Sequence, residues 1–259
     1  MIDFHMHSNC SDGYYSPGDL VAVAANKGLK YIALTDHNNV NGLVEAAATA
    51  KNLGITFVNG IEFSCEYNTH ITGLFLKRFD EINEKNVLRG EYMKLSLKHY
   101  GFDVNKYKSL RSARDACVRK MIDSGIATNK TFAIEHFLQP PFGYGEAIDL
   151  IHRCGGLAIL AHPNRTEGVD KNSLPNFLTN LMHYNLDGIE VYQSGQTDEY
   201  TDFVKNLADE NNLLISGGSD FHNPKRTDRE LGMYGNIDNR RPIPDEVFEI
   251  LWQNKDRYR

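Results

Sequence analysis

Short apolar runs alternate with amphipathic segments along most of the chain. Seven of these runs are bounded by turn residues and predict buried β-strands over residues 2–7, 30–35, 56–63, 70–76, 156–161, 187–192 and 213–218. Helical patterns between them predict helices over residues 17–27, 41–53, 143–154, 172–184, 198–211 and 244–253. This alternation is typical of repeated βα units, and it predicts an α/β protein whose parallel strands form a barrel.

Residues 79–142 depart from the alternation, because they carry helical patterns and no good strand. A gap of this length between two barrel strands is better explained by an inserted helical subdomain than by a structureless loop. We therefore predict a barrel formed by residues 1–78 and 143–259 and a mainly helical insertion over residues 79–142.

Composition places the chain among ordinary globular proteins. Of its 259 residues, 41% are apolar and 24% are charged. No apolar run approaches the length that spans a bilayer, and the N-terminus lacks the pattern of a secretory signal, so we expect a cytoplasmic protein without a membrane partner. The four cysteines are too sparse to predict a disulfide framework.

The net charge of −6 argues against a general nucleic-acid binder, because such proteins usually carry a basic surface. The charge is uneven, since residues 81–130 hold eleven Lys and Arg against six Asp and Glu. This basic segment could face an anionic substrate or could be a solvated helical surface, and composition leaves both possibilities open. The pattern gives no indication of the oligomeric state.

Histidines and carboxylates follow the predicted strands at their ends. In the first strand, alternation places His5 and His7 side by side on one face, and Asp12 follows in a tight turn. The other strands bring further side chains of these types to their ends, namely Asp36, His37, Glu62, His70, His162, Asp220 and His222. Since the C-terminal ends of parallel barrel strands meet on one face, we expect these groups to converge there.

Six imidazoles and three carboxylates exceed what a single zinc or manganese ion takes. The set predicts two or three divalent ions, and ligation by His, Asp and Glu without Cys suits hydrolytic Zn, Mn or Fe. Paired metals can hold a bridging hydroxide for in-line attack on a phosphate ester. The same kind of centre can also hydrolyse an amide, so the ligand types alone do not fix the reaction.

Four motifs resemble those of the PHP (polymerase and histidinol phosphatase) phosphoesterases: "HMHSNCSDG" from residue 5, "TDHNNVNG" from residue 35, "AHP" from residue 161 and "GSDFH" from residue 218. The resemblance implies a distorted (β/α)7 TIM-like barrel with a trinuclear metal centre. It implies nine metal ligands, which are His5, His7, Asp12, His37, Glu62, His70, His162, Asp220 and His222. Glu62 would bridge two ions. Asp36 and Glu190 would orient ligands, although polar residues at a barrel rim are an equal alternative.

The long insertion resembles that of stand-alone PHP phosphoesterases acting on nucleotides and short oligonucleotides, in which it would cap the active site. Those members carry a pattern like G-R-P-H-x-A-R, and the matching "ARDACVR" keeps Arg114 and Arg119 but has Ala116 at the histidine position. These two arginines and Arg165 are candidates to bind the substrate phosphate, with surface ion pairs as the alternative. The loss of the imidazole leaves the substrate preference open.

The resemblance therefore implies a metal-dependent phosphoesterase that hydrolyses a phosphate monoester of a small metabolite. A nucleotide, such as a nucleoside 3′,5′-bisphosphate, or a short oligonucleotide is the favoured substrate, and long nucleic acids are not expected. A histidinol-phosphate phosphatase is the enzymatic alternative. An accessory metal-binding PHP module is the non-enzymatic one, and the intact set of nine positions argues against it.

Overall fold

A computed structural model describes residues 1–139 and 141–258 of the chain. Its main sheet has seven strands that lie next to one another in chain order. They are β1 (Ile2–Asp3), β2 (Tyr31–Leu34), β3 (Thr56–Ser64), β4 (His70–Leu74), β5 (Leu157–Leu160), β6 (Gly188–Gln193) and β7 (Leu214–Gly218). Each predicted strand has its counterpart in this sheet.

The two outer strands of the sheet meet and close it into a barrel. The backbone N–H of Phe4 donates to the carbonyl of Gly217 at 3.1 Å, and that of Asp220 donates to the carbonyl of His5 at 2.8 Å. Met6 and Phe221 extend this pairing beyond the regular strands as a parallel bridge. The predicted distorted TIM-like barrel is confirmed, although β1 is shorter than the predicted run over residues 2–7.

The direction of β4 corrects the expectation of a wholly parallel barrel. β4 runs antiparallel to both β3 and β5, whereas the other neighbouring strands run parallel. Only a short turn, Glu66–Asn68, lies between β3 and β4. A parallel crossover needs a dozen or more residues, so this connection permits only a hairpin. As a result His70, at the start of β4, lies at the same end of the barrel as the last residues of the parallel strands.

Six helices accompany the barrel strands in the described part of the chain. They are α1 (Pro17–Asn26), α2 (Leu43–Leu53), α6 (Tyr144–Arg153), α7 (Leu174–Met182), α8 (Asp198–Glu210) and α9 (Glu246–Asn254). The Ser16 hydroxyl caps α1 by accepting from the backbone N–H of Asp19 at 3.1 Å, with Pro17 in the first turn. A two-stranded sheet of β8 (Met233–Tyr234) and β9 (Arg241–Pro242) follows β7.

A second compact unit comprises Ile82–Phe142, and the barrel unit comprises Met1–Glu81 with Gly143–Arg259. The helices α3 (Asp80–His99), α4 (Leu110–Asp123) and α5 (Lys130–Ala133) occupy the region of the predicted insertion. The helical unit has its own apolar core, formed by Met93, Leu97, Ala113, Cys117, Val118, Met121, Ala127, Ala133 and Leu138. No helix in the described ranges is long and apolar enough to cross a membrane.

Buried Asp187 holds the C-terminal segment against the barrel. Its carboxylate lies just before β6 and accepts from the backbone N–H of Ala158 at 2.8 Å. It also contacts His152 Nε2 at 2.8 Å, Arg257 Nη1 at 2.8 Å and the Tyr258 hydroxyl at 3.0 Å. The hydrogen bonds and charges of these partners outweigh burial and lower the pKa of Asp187. His152, which also stacks on the Tyr258 ring, therefore has a packing role.

Candidate metal centre

The carboxylate of Glu62 lies at the middle of a histidine cluster on one face of the barrel. Glu62 belongs to β3, and its side chain is fully buried. Five imidazole nitrogens lie 2.9–3.2 Å from its two oxygens, and they belong to His5, His7, His37, His70 and His162. Three of these imidazoles approach Oε1 and two approach Oε2, so the carboxylate joins two groups of histidines.

Two further carboxylates complete the cluster. Asp220 Oδ1 lies 3.2 Å from His7 Nε2, 3.4 Å from His222 Nδ1 and 3.5 Å from His5 Nε2. Asp12 Oδ1 lies 3.3 Å from the other ring nitrogen of His222. Asp12 is more exposed than the other two carboxylates, because it lies in the turn after β1.

The structure brings all nine sequence-predicted residues together. Ligand atoms of eight of them form three overlapping groups that could each hold a metal ion: His5, His7, Glu62 and Asp220; His7, Asp12, His37 and His222; and His37, Glu62 and His70. His162 joins the cluster through Glu62 Oε1 and lies 3.2 Å from a ring nitrogen of His70.

Electrostatics shows that this centre attracts positive charge. Burial raises the pKa of the Glu62 and Asp220 carboxyls, but the surrounding histidines outweigh burial and hold both values well below the usual range. Burial also opposes ionisation of Asp12, whose pKa is nevertheless lowered by His222 and His37. All three carboxylates are therefore charged at neutral pH.

The surroundings of the cluster raise the pKa of some imidazoles and lower that of others. Burial lowers the pKa of His7, but the nearby Asp220 and Glu62 carboxylates outweigh burial and raise the pKa to about 9. Burial likewise lowers the pKa of His5, and the charges of Glu62, Glu190 and Asp220 raise it well above its usual value. By contrast, burial and neighbouring histidines lower the pKa of His37 to about 3. A cation at the centre would compete with protons for the imidazoles of His5 and His7.

Several buried atoms of the cluster fit a metal better than a hydrogen-bond network. Within the described residues no hydrogen bond reaches His5 Nε2, either ring nitrogen of His7, His37 Nδ1, Glu62 Oε2 or His162 Nδ1. Buried polar atoms normally have partners, and a divalent ion would satisfy several of these lone pairs at once. The donors are nitrogen and oxygen atoms without sulfur, which suits Zn, Mn or Fe.

Glu190 and Asp36 support different parts of this site. Glu190, on β6, has Oε1 3.0 Å from His5 Nδ1, and its Oε2 accepts from the backbone N–H of His162 at 2.7 Å. Asp36 instead accepts from the backbone N–H of Ser8 at 2.8 Å and from the hydroxyls of Ser8 and Ser11 at 2.6 Å each. Asp36 therefore fixes the turn that precedes Asp12 rather than an imidazole.

Close packing between β7 and β1 supports the positions of the ligand candidates. A Cβ atom on Gly218 would lie 2.2 Å from the Cβ of His5, so only glycine fits at this position. Two of the nine residues have left-handed backbones, with φ of 26° at His162 and 52° at Asp220. Such conformations persist where the surrounding contacts hold them, and they cluster at functional sites.

Two of the three candidate arginines, Arg165 and Arg114, have partners within their own units. Arg165 forms an ion pair with Asp220 Oδ2, and its Nη2 donates to the carbonyl of Ser194 at 3.1 Å. Arg114, on α4 of the helical unit, donates to Asp115 from Nε at 3.1 Å and from Nη2 at 2.9 Å. Arg119, on the same helix, is exposed.

Two side chains beside the cluster, buried Asp3 and partly buried Arg229, are absent from the set predicted from the sequence. Asp3 accepts from the backbone N–H of Ser219 at 2.9 Å and of Gly232 at 2.8 Å, and burial raises its pKa to about 6. It shares the polar face of the first strand with His5, so alternation could have identified it. Arg229 contacts Asp220 from an irregular loop, where no periodic pattern could have identified it.

Comparison with known proteins identifies the family of this chain. The PHP domain matches residues 3–209. A 3′,5′-nucleoside bisphosphate phosphatase of Chromobacterium violaceum is 30% identical, over 89% of this chain and 90% of that protein. A 5′-3′ exoribonuclease of Haemophilus influenzae is also 30% identical, over 86% of this chain and 90% of that protein.

Solved structures show the same fold. An amidohydrolase from Chromobacterium violaceum, determined with bound sulfate and no metal, superposes with a TM-score of 0.67 at 26% identity and covers 99% of this chain and 96% of its own. A chain from Bifidobacterium adolescentis shares the fold with a TM-score of 0.69 at 22% identity, covering 97% and 96%. The chain therefore belongs to the PHP family and is a metal-dependent phosphoesterase, as its strand-end motifs predict.

Proposed function

We propose that this protein hydrolyses a phosphate monoester of a small nucleotide, such as a nucleoside 3′,5′-bisphosphate or a short oligonucleotide. The observation that carries the proposal is the cluster around Glu62, where five imidazoles meet both oxygens of one buried carboxylate. The named activities of the two relatives at 30% identity support a nucleotide rather than another phosphorylated metabolite.

The nine clustered residues would hold two or three divalent ions of Mn, Zn or Fe, with Glu62 shared between two of them. When bound, such ions supply Lewis acidity toward phosphoryl oxygens and activate water as a nucleophile. The chain contributes three ionised carboxylates that attract the ions, and buried imidazoles that the barrel strands hold in place. Glu190 contacts Nδ1 of His5 and thereby orients this imidazole with its Nε2 toward Glu62.

The substrate phosphate needs donors beyond the centre, and we propose the arginines for this role. Arg165 lies against Asp220 with a partly exposed side chain, and a guanidinium can donate two parallel hydrogen bonds to a phosphate. Arg114 and Arg119 of the helical unit are proposed from the "ARDACVR" pattern alone. In this proposal Ala116 supplies no imidazole to the substrate.

A substrate comparison tests the proposal. Purified protein is analysed for metal content and assayed with added Mn or Zn on a nucleoside 3′,5′-bisphosphate, a 5′-phosphorylated short oligonucleotide and histidinol phosphate. We expect phosphate release to be fastest from one of the two nucleotide substrates. Faster release from histidinol phosphate would instead support the alternative phosphatase, and metal binding without any turnover would support an accessory module.

Two variants of the centre serve as controls. His7→Ala and Asp220→Ala each remove a buried side chain that contacts the cluster. Loss of phosphate release in both variants would show that the activity belongs to this centre. Turnover that survives both substitutions would contradict the proposal.

A further inference from the structure

Arg229 is a partly buried arginine in the loop between β7 and β8. Its side chain is 11% exposed. Its Nη1 donates to the backbone carbonyl of Asp220 at 2.9 Å and forms an ion pair with Oδ2 of the same residue. The same Nη1 lies 3.2 Å from His222 Nδ1. One guanidinium nitrogen therefore contacts the backbone and the side chain of a single candidate metal ligand.

Two features of Asp220 fit such a contact. Its backbone is left-handed, with φ of 52°, a conformation that is uncommon outside glycine and that surrounding contacts can hold in place. Its carboxylate also faces two ways, because Oδ1 lies among the imidazoles of His7 and His222 while Oδ2 faces Arg165 and Arg229. The arginines thus occupy one oxygen and leave the other directed at the centre.

The contacts of the two arginines are not equivalent. Arg165 contacts the carboxylate of Asp220 and is otherwise bound to the carbonyl of Ser194. Arg229 contacts both the carbonyl and the carboxylate of Asp220, which fixes the side chain relative to its own backbone. On the other side, the backbone N–H of Asp220 donates to the carbonyl of His5 at 2.8 Å.

The loop that carries Arg229 is itself anchored to the barrel. The carboxylate of Glu230 binds Lys27 at 2.6 Å and Arg240 at 3.1 Å. The backbone N–H of Gly232 donates to Asp3 at 2.8 Å. These anchors lie within three residues of Arg229, so the guanidinium is presented to Asp220 from a fixed support.

We propose that Arg229 is a positioning residue, which holds the backbone and the carboxylate of Asp220 so that Oδ1 points into the metal centre. The inference rests on the proposed function in one respect, since it takes Asp220 as a metal ligand. Residues that orient a metal ligand from outside typically affect metal affinity or activity by about 10- to 100-fold. Arg229 acts in this way through Asp220.

The test compares Arg229→Met, which keeps the bulk of the side chain but removes its donors, with Arg229→Lys, which keeps one charged donor group. Lys225→Met, an exposed residue of the same loop, is the matched control. Affinity for Mn and Zn is measured by competition with a fluorescent chelator, and thermal unfolding confirms that each variant folds. Turnover of a chromogenic phosphate monoester gives kcat and KM over a range of metal concentrations.

We expect Arg229→Met to weaken the binding of at least one ion by about 10-fold or more and to lower kcat at limiting metal, while KM stays near the wild-type value. Arg229→Lys should recover part of the affinity, and Lys225→Met should match wild type. Unchanged metal affinity with a raised KM would overturn the inference in favour of direct substrate binding. Unchanged metal affinity with only a lower thermal midpoint would overturn it in favour of a purely structural role.

The two proposals fail separately. If the wild-type protein binds metal but releases no phosphate from any ester, the proposed function fails, and the metal affinities of the Arg229 variants still decide the inference. If the wild type is active and Arg229→Met binds metal as tightly as wild type, the inference alone fails.

Discussion

Replacing Glu190 by glutamine should disrupt the metal centre without changing the shape of the side chain. Both carboxylate oxygens of Glu190 are engaged, since Oε1 lies 3.0 Å from His5 Nδ1 and Oε2 accepts from the backbone N–H of His162 at 2.7 Å. Glutamine offers one acceptor and one donor group in place of two acceptors. Either orientation of the amide therefore leaves one of the two contacts mismatched.

The two orientations fail for different reasons. With the amide oxygen toward the N–H of His162, the amide group donates to His5 Nδ1, and neutral His5 must then carry its proton on Nε2. That nitrogen faces Glu62 at 3.2 Å, and a protonated Nε2 has no lone pair for a metal. With the amide reversed, the buried N–H of His162 faces another donor, at a residue whose φ of 26° already lies in the left-handed region.

The expected size of the effect follows from these contacts. A buried donor without an acceptor costs about 1–3 kcal/mol. Loss of the group that orients a metal-binding histidine costs about 10- to 100-fold in metal affinity or activity. The two ranges agree, since tenfold in an equilibrium constant is about 1.4 kcal/mol. Glu190→Gln should therefore weaken metal binding by about 10- to 100-fold.

Chelator competition measures the metal affinity, and nitrogen NMR of the imidazoles reports which ring nitrogen of His5 carries the proton. Glu210→Gln, an exposed position at the end of α8, is the control that changes the same charge away from the centre. Wild-type metal affinity in Glu190→Gln, together with an unchanged proton position on His5, would refute the reasoning.

Three other perturbations have defined outcomes. Removing bound metal with EDTA should abolish phosphate release, and adding Mn should restore it; activity that persists in EDTA would argue against a metal-dependent reaction. Asp187→Ala should lower the free energy of unfolding in urea by about 1–3 kcal/mol, because it leaves the buried backbone N–H of Ala158 without its acceptor, whereas exposed Glu199→Ala should change it little. The folded-state pKa of Asp187 is lowered, so its stabilising effect is present above the usual pKa of 3.8 and is lost as the pH falls through the lowered value. The stability difference between wild type and Asp187→Asn should accordingly be large at pH 7 and shrink below pH 3.8; a difference independent of pH would contradict this assignment.

The sequence by itself determined the strands, most of the helices and the types of residue at the strand ends. These features depend on neighbours in the chain, because alternation places His5 and His7 on one face and turn residues end each strand. The same local patterns, combined with the rule that the C-terminal ends of parallel barrel strands meet, were sufficient to bring the ligand candidates other than His70 together.

Only the tertiary structure decided how those candidates are held. Because β4 runs antiparallel, His70 at the start of this strand lies at the centre. The short connection before β4 was the sequence feature that could have predicted this direction. Glu190 reaches His5 across 185 positions of the chain, and Arg229 reaches Asp220 from a loop without any periodic pattern. Such contacts depend on how the barrel closes, because closure brings together side chains whose separation in the chain carries no local signal.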